Sequence, residues 1–224
     1  MYNTKLVMSQ IFTIFGTLIM IYMTNSVVEQ ILKKIKKARR GTLFFGEDFI
    51  SKGNSEAIRK ALQRLVKYGE LERIATGIYV RPEVDKVIGP VTPNIETIAK
   101  AIARRDKARI VPTGLFAMNR LGLSTQVPMT VVYLTDGAAR SVKVGKRTII
   151  FKKATPKNVA AIGAISSLVI QALKTIGKNK VRPEELEKIR VLLRKEKTTH
   201  LQHDLRLAPE WIRQIIQSIG TKGT

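Results

Sequence analysis

The chain is predicted to be an α+β protein, an N-terminal winged helix-turn-helix followed by a mainly helical α+β C-terminal domain. Three observations predict this. Residues 54–81, NSEAIRKALQRLVKYGELERIATGIYVR, pass from a helical apolar period into two short runs of strand type. The residues before them read as helix, strand and short helix, the order that precedes the recognition helix of a winged helix. Residues 94–220 combine several helical periods with a hairpin pattern around Gly145 and Lys146. The expected division is an apolar extension over 1–24, disordered or mis-started, a winged helix over 25–81, a linker over 82–93 and a second domain over 94–220.

Within the extension, residues 11–23 read IFTIFGTLIMIYM. That run is short for a membrane span, which needs roughly 20 residues, so no stable membrane association is expected. Met20 and Met23 are alternative starts. Ser26 with Glu29 forms a capping-box pattern, and Val27, Val28, Ile31, Leu32 and Ile35 mark the first helix. It ends in KKIKKARRG, where the helix dipole favours cations. A strand is expected over 42–45 and a brief helix around Glu47, Asp48, Phe49 and Ile50.

In the next helix, expected over 55–68, Ala57, Ile58, Ala61, Leu62, Leu65 and Val66 make a buried stripe, with Asn54 or Ser55 as cap and Gly69 as a left-handed stop. Arg59, Lys60, Gln63, Arg64 and Lys67 fall on the other side. Such a helix suits the major groove, where arginine pairs with guanine and glutamine with adenine. Arg59, Lys60 and Gln63 are the expected base readers, and Arg64 and Lys67 the phosphate contacts. Lys52 and Ser55 are placed to meet a phosphate at the helix start. Arg73 and Thr76 belong to the hairpin expected at 71–80, whose turn includes Gly77. Tyr79 is assigned to the support of that hairpin.

The proline-rich 82–93 has little periodicity. Pro93 is placed in the first turn of a helix carrying Ile95, Ile98, Ala99 and Ile102. Thr113 is the expected cap of a helix ending at Gly122, and 131–134 a strand. Residues 141–144 and 148–151 form the second hairpin pattern. The stretch 140–157 carries Arg140, Lys143, Lys146, Arg147, Lys152, Lys153 and Lys157 with no acid. This second basic surface fits flanking DNA, an acidic partner or simple solvation. From Thr155 and Pro156 a single long helix is expected to reach Ile176. Another runs over 183–197, then a polar stretch KTTHLQHD, then a last helix opened by Pro209.

The formal net charge of +23, from 40 basic and 17 acidic residues, suits a nucleic-acid or strongly acidic partner. Residues 26–81 hold 13 basic and 6 acidic residues, an excess of 7, so most of the positive charge lies elsewhere. The absence of cysteine excludes disulfides and thiolate chemistry and suits a cytoplasmic protein. No phosphate-binding glycine loop and no HExxH pair is present. His200, His203 and Asp204 have a spacing that metals use, but their place between helices reads as loop polarity or capping. No catalytic residue, metal site or cofactor is expected.

Three segments carry a more specific resemblance: GELERIATGIYVRP, PTGLFAMNRLGLSTQVPMTVVYLTDG and VKVGKRTIIFKKATPKN. Together they resemble the AbiEi-type antitoxin and transcriptional regulator family of type IV toxin–antitoxin systems, over roughly residues 25–220. Pro112, Thr113, Gly114, Asn119, Gly122 and Leu123 match the shared pattern. The resemblance implies an autorepressor whose winged helix binds inverted repeats in double-stranded promoter DNA. It further implies a C-terminal domain that counteracts a nucleotidyltransferase-like toxin. The alternative is a protein-interaction module whose winged helix does not bind DNA.

Overall fold

A computed structural model describes residues 26–220, and the apolar run at 11–23 lies outside them. The chain divides into two compact units, with the boundary between Pro93 and Asn94. An α+β architecture is present in both.

In the first unit, α1 (Val27–Lys37) starts where Ser26 Oγ accepts the amide of Glu29 at 3.3 Å. β1 (Leu43–Phe45) leads into a 3-10 turn, Gly46–Lys52, closed by the Asp48 carboxylate on the amide of Phe45 at 2.7 Å. α2 (Ser55–Lys67) is capped by Asn54, whose Oδ1 accepts the amide of Ala57 at 2.8 Å. Gly69, at φ +73°, ends it in the left-handed conformation that glycine adopts without strain. β2 (Glu72–Ala75) and β3 (Ile78–Val80) follow as a hairpin turning at Thr76 and Gly77. The three strands pair antiparallel in the order β1-β3-β2, with Leu43 opposite Val80 and Phe45 opposite Ile78. A bulge between Arg73 and Ala75 shifts the register of β2. Ile31, Ile35, Phe49, Ile58 and Leu62 join one apolar core that locks α2 against α1 and the 3-10 turn. The guanidinium of Arg81 donates to the carbonyls of Lys36 and Ala38, satisfying groups that the end of α1 leaves open.

Residues 82–93 are more ordered than the linker expected of them. β4 (Glu83–Asp85) and β5 (Gly89–Val91) make a separate two-stranded hairpin. Asp85 Oδ1 accepts the amides of Val87 and Ile88 at 2.8 and 3.1 Å, and this carboxylate turn replaces the periodicity that the sequence lacks.

In the second unit, α3 (Ile95–Arg105) is capped by Asn94, so Pro93 precedes the helix instead of opening it. β6 (Ile110–Thr113), α4 (Gly114–Arg120), β7 (Thr130–Thr135), β8 (Arg140–Val144) and β9 (Arg147–Lys153) come next. The sheet order is β6-β7-β9-β8, with β7 and β9 parallel and the other pairs antiparallel. Phe116, Tyr133 and Phe151 form an aromatic row with centroids 5.9 and 6.0 Å apart. Thr113 caps α4 by backbone position only, and its hydroxyl donates to Gln171 Oε1 at 3.2 Å.

Two further expectations for the second unit are corrected. The long helix from Thr155 is broken into a 3-10 turn, Pro156–Val159, and α5 (Ser166–Ile176). Asp204 accepts the amides of Ile162 and Gly163, both at 2.9 Å, and Glu196 accepts those of Ile165 and Ser166 at 2.6 and 3.1 Å. These four amides bond to distant carboxylates where a continuous helix would have used its own carbonyls. The polar stretch KTTHLQHD is helical from Thr198 onward, in α7 (Thr198–Leu207), and its one acid, Asp204, is spent on that capping. Beside it stand α6 (Pro183–Leu193) and α8 (Glu210–Gly220), and Val169, Leu173, Ile189 and Ile212 fill the helical core.

Candidate nucleic-acid interface

The burial of Ile58, Ala61, Leu62 and Leu65 fixes which side of α2 meets solvent. Glu56, Arg59, Lys60, Gln63, Arg64 and Lys67 are all exposed, and their spacing puts them on one stripe. Ser55 is exposed at the first helical position and Lys52 is half-buried at the end of the 3-10 turn. Arg73 and Thr76 are exposed on β2 and its turn. Tyr79 is buried in the core beneath them. Every side chain expected to face DNA from this unit thus lies at the surface, wholly or in part.

Glu56 is the residue that the sequence reading left out. Its carboxylate takes two hydrogen bonds from Arg59, Nε at 3.2 Å and Nη2 at 2.7 Å, and lies 3.4 Å from Lys60 Nζ. The Arg59 hydrogen bonds hold the carboxyl below its usual range, and the same pairing raises Arg59. The helix N-terminus, where a phosphate would be favoured, therefore already carries an anion of the chain's own. Spacing alone reveals this, since Glu56 stands three and four residues before Arg59 and Lys60.

In the second unit the seven cations of 140–157 separate into two groups. Arg140 is paired with Asp106 and lies over the Phe151 ring at 5.6 Å from its centroid. Arg147 Nη2 donates to the carbonyl of Pro128 at 3.2 Å. Both are half-buried and brace the sheet. Lys143, Lys146, Lys152, Lys153 and Lys157 are exposed. Register places Lys143 opposite Thr148, and alternation along β9 puts Lys152 on that same face.

His200, His203 and Asp204 lie on α7 instead of in a loop. Asp204 is fully buried, accepting Ser166 Oγ at 2.6 Å, and His203 Nδ1 lies 2.9 Å from Asp204 Oδ1. His200 Nδ1 approaches Glu196 at 3.6 Å. Burial opposes the charged form of Asp204, but the bonds from Ser166, His203 and the two amides outweigh it and hold the carboxyl low. Glu196 is held low in the same way, against its own burial, by the amides of Ser166 and Ile165. These groups hold backbone. Among the described residues, no group of three or more His, Asp or Glu side chains is arranged to hold a metal ion. Nor is any helix there long and apolar enough to cross a membrane.

Residues 30–201 match the family of unknown function DUF6088. No curated protein matches the chain. The crystal structure of the RV2827C protein from Mycobacterium tuberculosis is similar at a TM-score of 0.42 and 13% identity, over 87% of this chain and 80% of that one.

Proposed function

We propose that this chain, which belongs to the DUF6088 family, is a DNA-binding autorepressor and antitoxin with no bond chemistry of its own. In this reading the first unit is a winged helix-turn-helix: α2 enters the major groove of double-stranded promoter DNA and the β2–β3 turn approaches the neighbouring groove. The observation that carries it is the exposed stripe of Arg59, Lys60, Gln63, Arg64 and Lys67, held rigidly by the apolar core behind α2. Base contacts by Arg59 and Gln63 would specify, while Arg64, Lys67 and Lys52 would position the helix on phosphates. The antitoxin role rests on the resemblance of PTGLFAMNRLGLSTQVP and its flanking segments to AbiEi-type antitoxins, and assigns a nucleotidyltransferase-like toxin as the functional partner.

Binding to the promoter of the chain's own gene and to scrambled DNA tests this reading. Arg59→Ala or Gln63→Ala is expected to cut discrimination between the two by about tenfold. Lys67→Ala is expected to weaken both equally and to flatten the salt dependence. Equal affinity of the wild type for both DNAs would sink the repressor assignment. Co-expression with a nucleotidyltransferase-like toxin from the same operon tests the second role, with restored growth as the expected result.

A further inference from the structure

The β4–β5 hairpin exposes three large aliphatic side chains: Val84 at 64%, Val87 at 91% and Ile88 at 74% of their surface. Scattered single exposures need no explanation, but three within five residues of one short hairpin concentrate apolar surface at its tip. The tip is also shaped in advance. Asp85 holds the amides of Val87 and Ile88, and the ladder pairs Glu83 with Val91 and Asp85 with Gly89. Among the described residues this sheet has only its own two strands, and so small a hairpin is marginal by itself in water. The ordering cost of presenting the apolar residues is therefore met by local bonds, without visible burial in return.

We propose that this hairpin is a self-association arm, seated against the same hairpin of a second copy of the chain. Charge selects that occupant. The chain carries +23, so two copies repel each other across most of their surfaces. Residues 82–93 carry Glu83 and Asp85 against Lys86, a net of −1, and form a place where two copies approach with less of that penalty than across their basic surfaces. A two-fold contact must be self-complementary, and a tip with adjacent Asp85 and Lys86 beside apolar Val87 and Ile88 meets that requirement. The patch is small, so the dimer is weak and concentration-dependent. Because repulsion elsewhere opposes it, added salt strengthens it. This inference does not depend on DNA binding, which salt weakens.

Sedimentation of the full chain between ~20 and ~500 μM, at about 0.1 and about 0.5 M salt, tests the proposal. The expected mass rises reversibly from 25.1 kDa towards a dimer, more so at high salt. The double variant Val87→Ser, Ile88→Ser should stay monomeric at an unchanged circular dichroism spectrum. The chain has no cysteine, so Val87→Cys introduces a single thiol. Under mild oxidation it should form covalent dimers about tenfold faster than Val191→Cys, an exposed position on α6 (46%). A wild type that stays monomeric throughout, a serine variant that dimerises equally, or equal cross-linking at both cysteines would each overturn the proposal. Protection of the thiol at position 87 in a monomeric chain would assign the tip to an intramolecular contact instead, and also overturn it.

Discussion

A single carboxylate modulates the basic stripe of α2. Glu56 engages Arg59 and Lys60, so the first turn offers DNA less positive charge than its lysines and arginines suggest. Under the DNA-binding reading, Glu56→Gln should raise affinity for both promoter and scrambled DNA by roughly threefold. The ratio of the two should fall if Glu56 also orients Arg59. Filter binding at one fixed salt concentration reads both effects. At the other end of the chain, Asp204 accepts four bonds while fully buried. Asp204→Asn keeps its size but leaves donors facing donors, at a cost of about 2–4 kcal/mol in unfolding free energy. Asp204 and Glu196 both titrate below their ordinary values. Their stabilisation is therefore present above the unfolded value, near 4, and is lost as pH falls through the folded one. Thermal unfolding should accordingly show a drop in stability below about pH 4, shallower in Asp204→Asn.

Elements in the second unit depend on a break that those carboxylates enforce. Gly163 lies at the centre of it. A Cβ there would come within 2.7 Å of Glu196 Oε2 and 3.0 Å of Asp204 Oδ2, with Ser166 Oγ closer still. Gly163→Ala should therefore destabilise the chain by about 2 kcal/mol or more, because the displaced atoms are the ones holding the loop. Gly46→Ala is the control: nothing lies within 4 Å of its Cβ, and its effect should stay within about 0.5 kcal/mol. Chemical denaturation of the two variants side by side checks both. The contrast with α2 is instructive. That helix has its cap at Asn54, its apolar stripe and its glycine stop all inside fifteen or so residues, so its limits are local.

At the level of the whole molecule, the positive charge is spread over both units, and its use can be measured. If Lys143, Lys146, Lys152, Lys153 and Lys157 also meet phosphate, the full chain should lose DNA affinity with salt more steeply than residues 26–93 alone. Each additional phosphate contact adds about 0.9 to the log–log slope. The fragment retains the apolar core that holds α2. Identical slopes would assign the second basic surface to a different partner or to solvent. Arg140 and Arg147 should contribute little to that difference, since one is bound to Asp106 and the other to Pro128.

Residue order by itself places the elements whose causes are local. The stripe and cap of α2, the turn at Gly77, the hairpin around Gly145 and the exposed cations of α2 all follow from spacing within one or two turns of chain. Tertiary structure alone decided the rest. The parallel pairing of β7 with β9 skips β8, which lies between them in sequence but at the edge of the sheet, a choice that alternation along a single strand does not encode. Residues 160–165 leave the helix because Glu196 and Asp204, some 30 to 40 positions later, offer their amides better acceptors than the helix would. Asp85 makes an ordered hairpin of a segment without periodicity. In each of these cases the deciding partner of a backbone group or strand is set by packing: local spacing fixes which face of an element is apolar, but only the assembled fold fixes what each buried polar group meets.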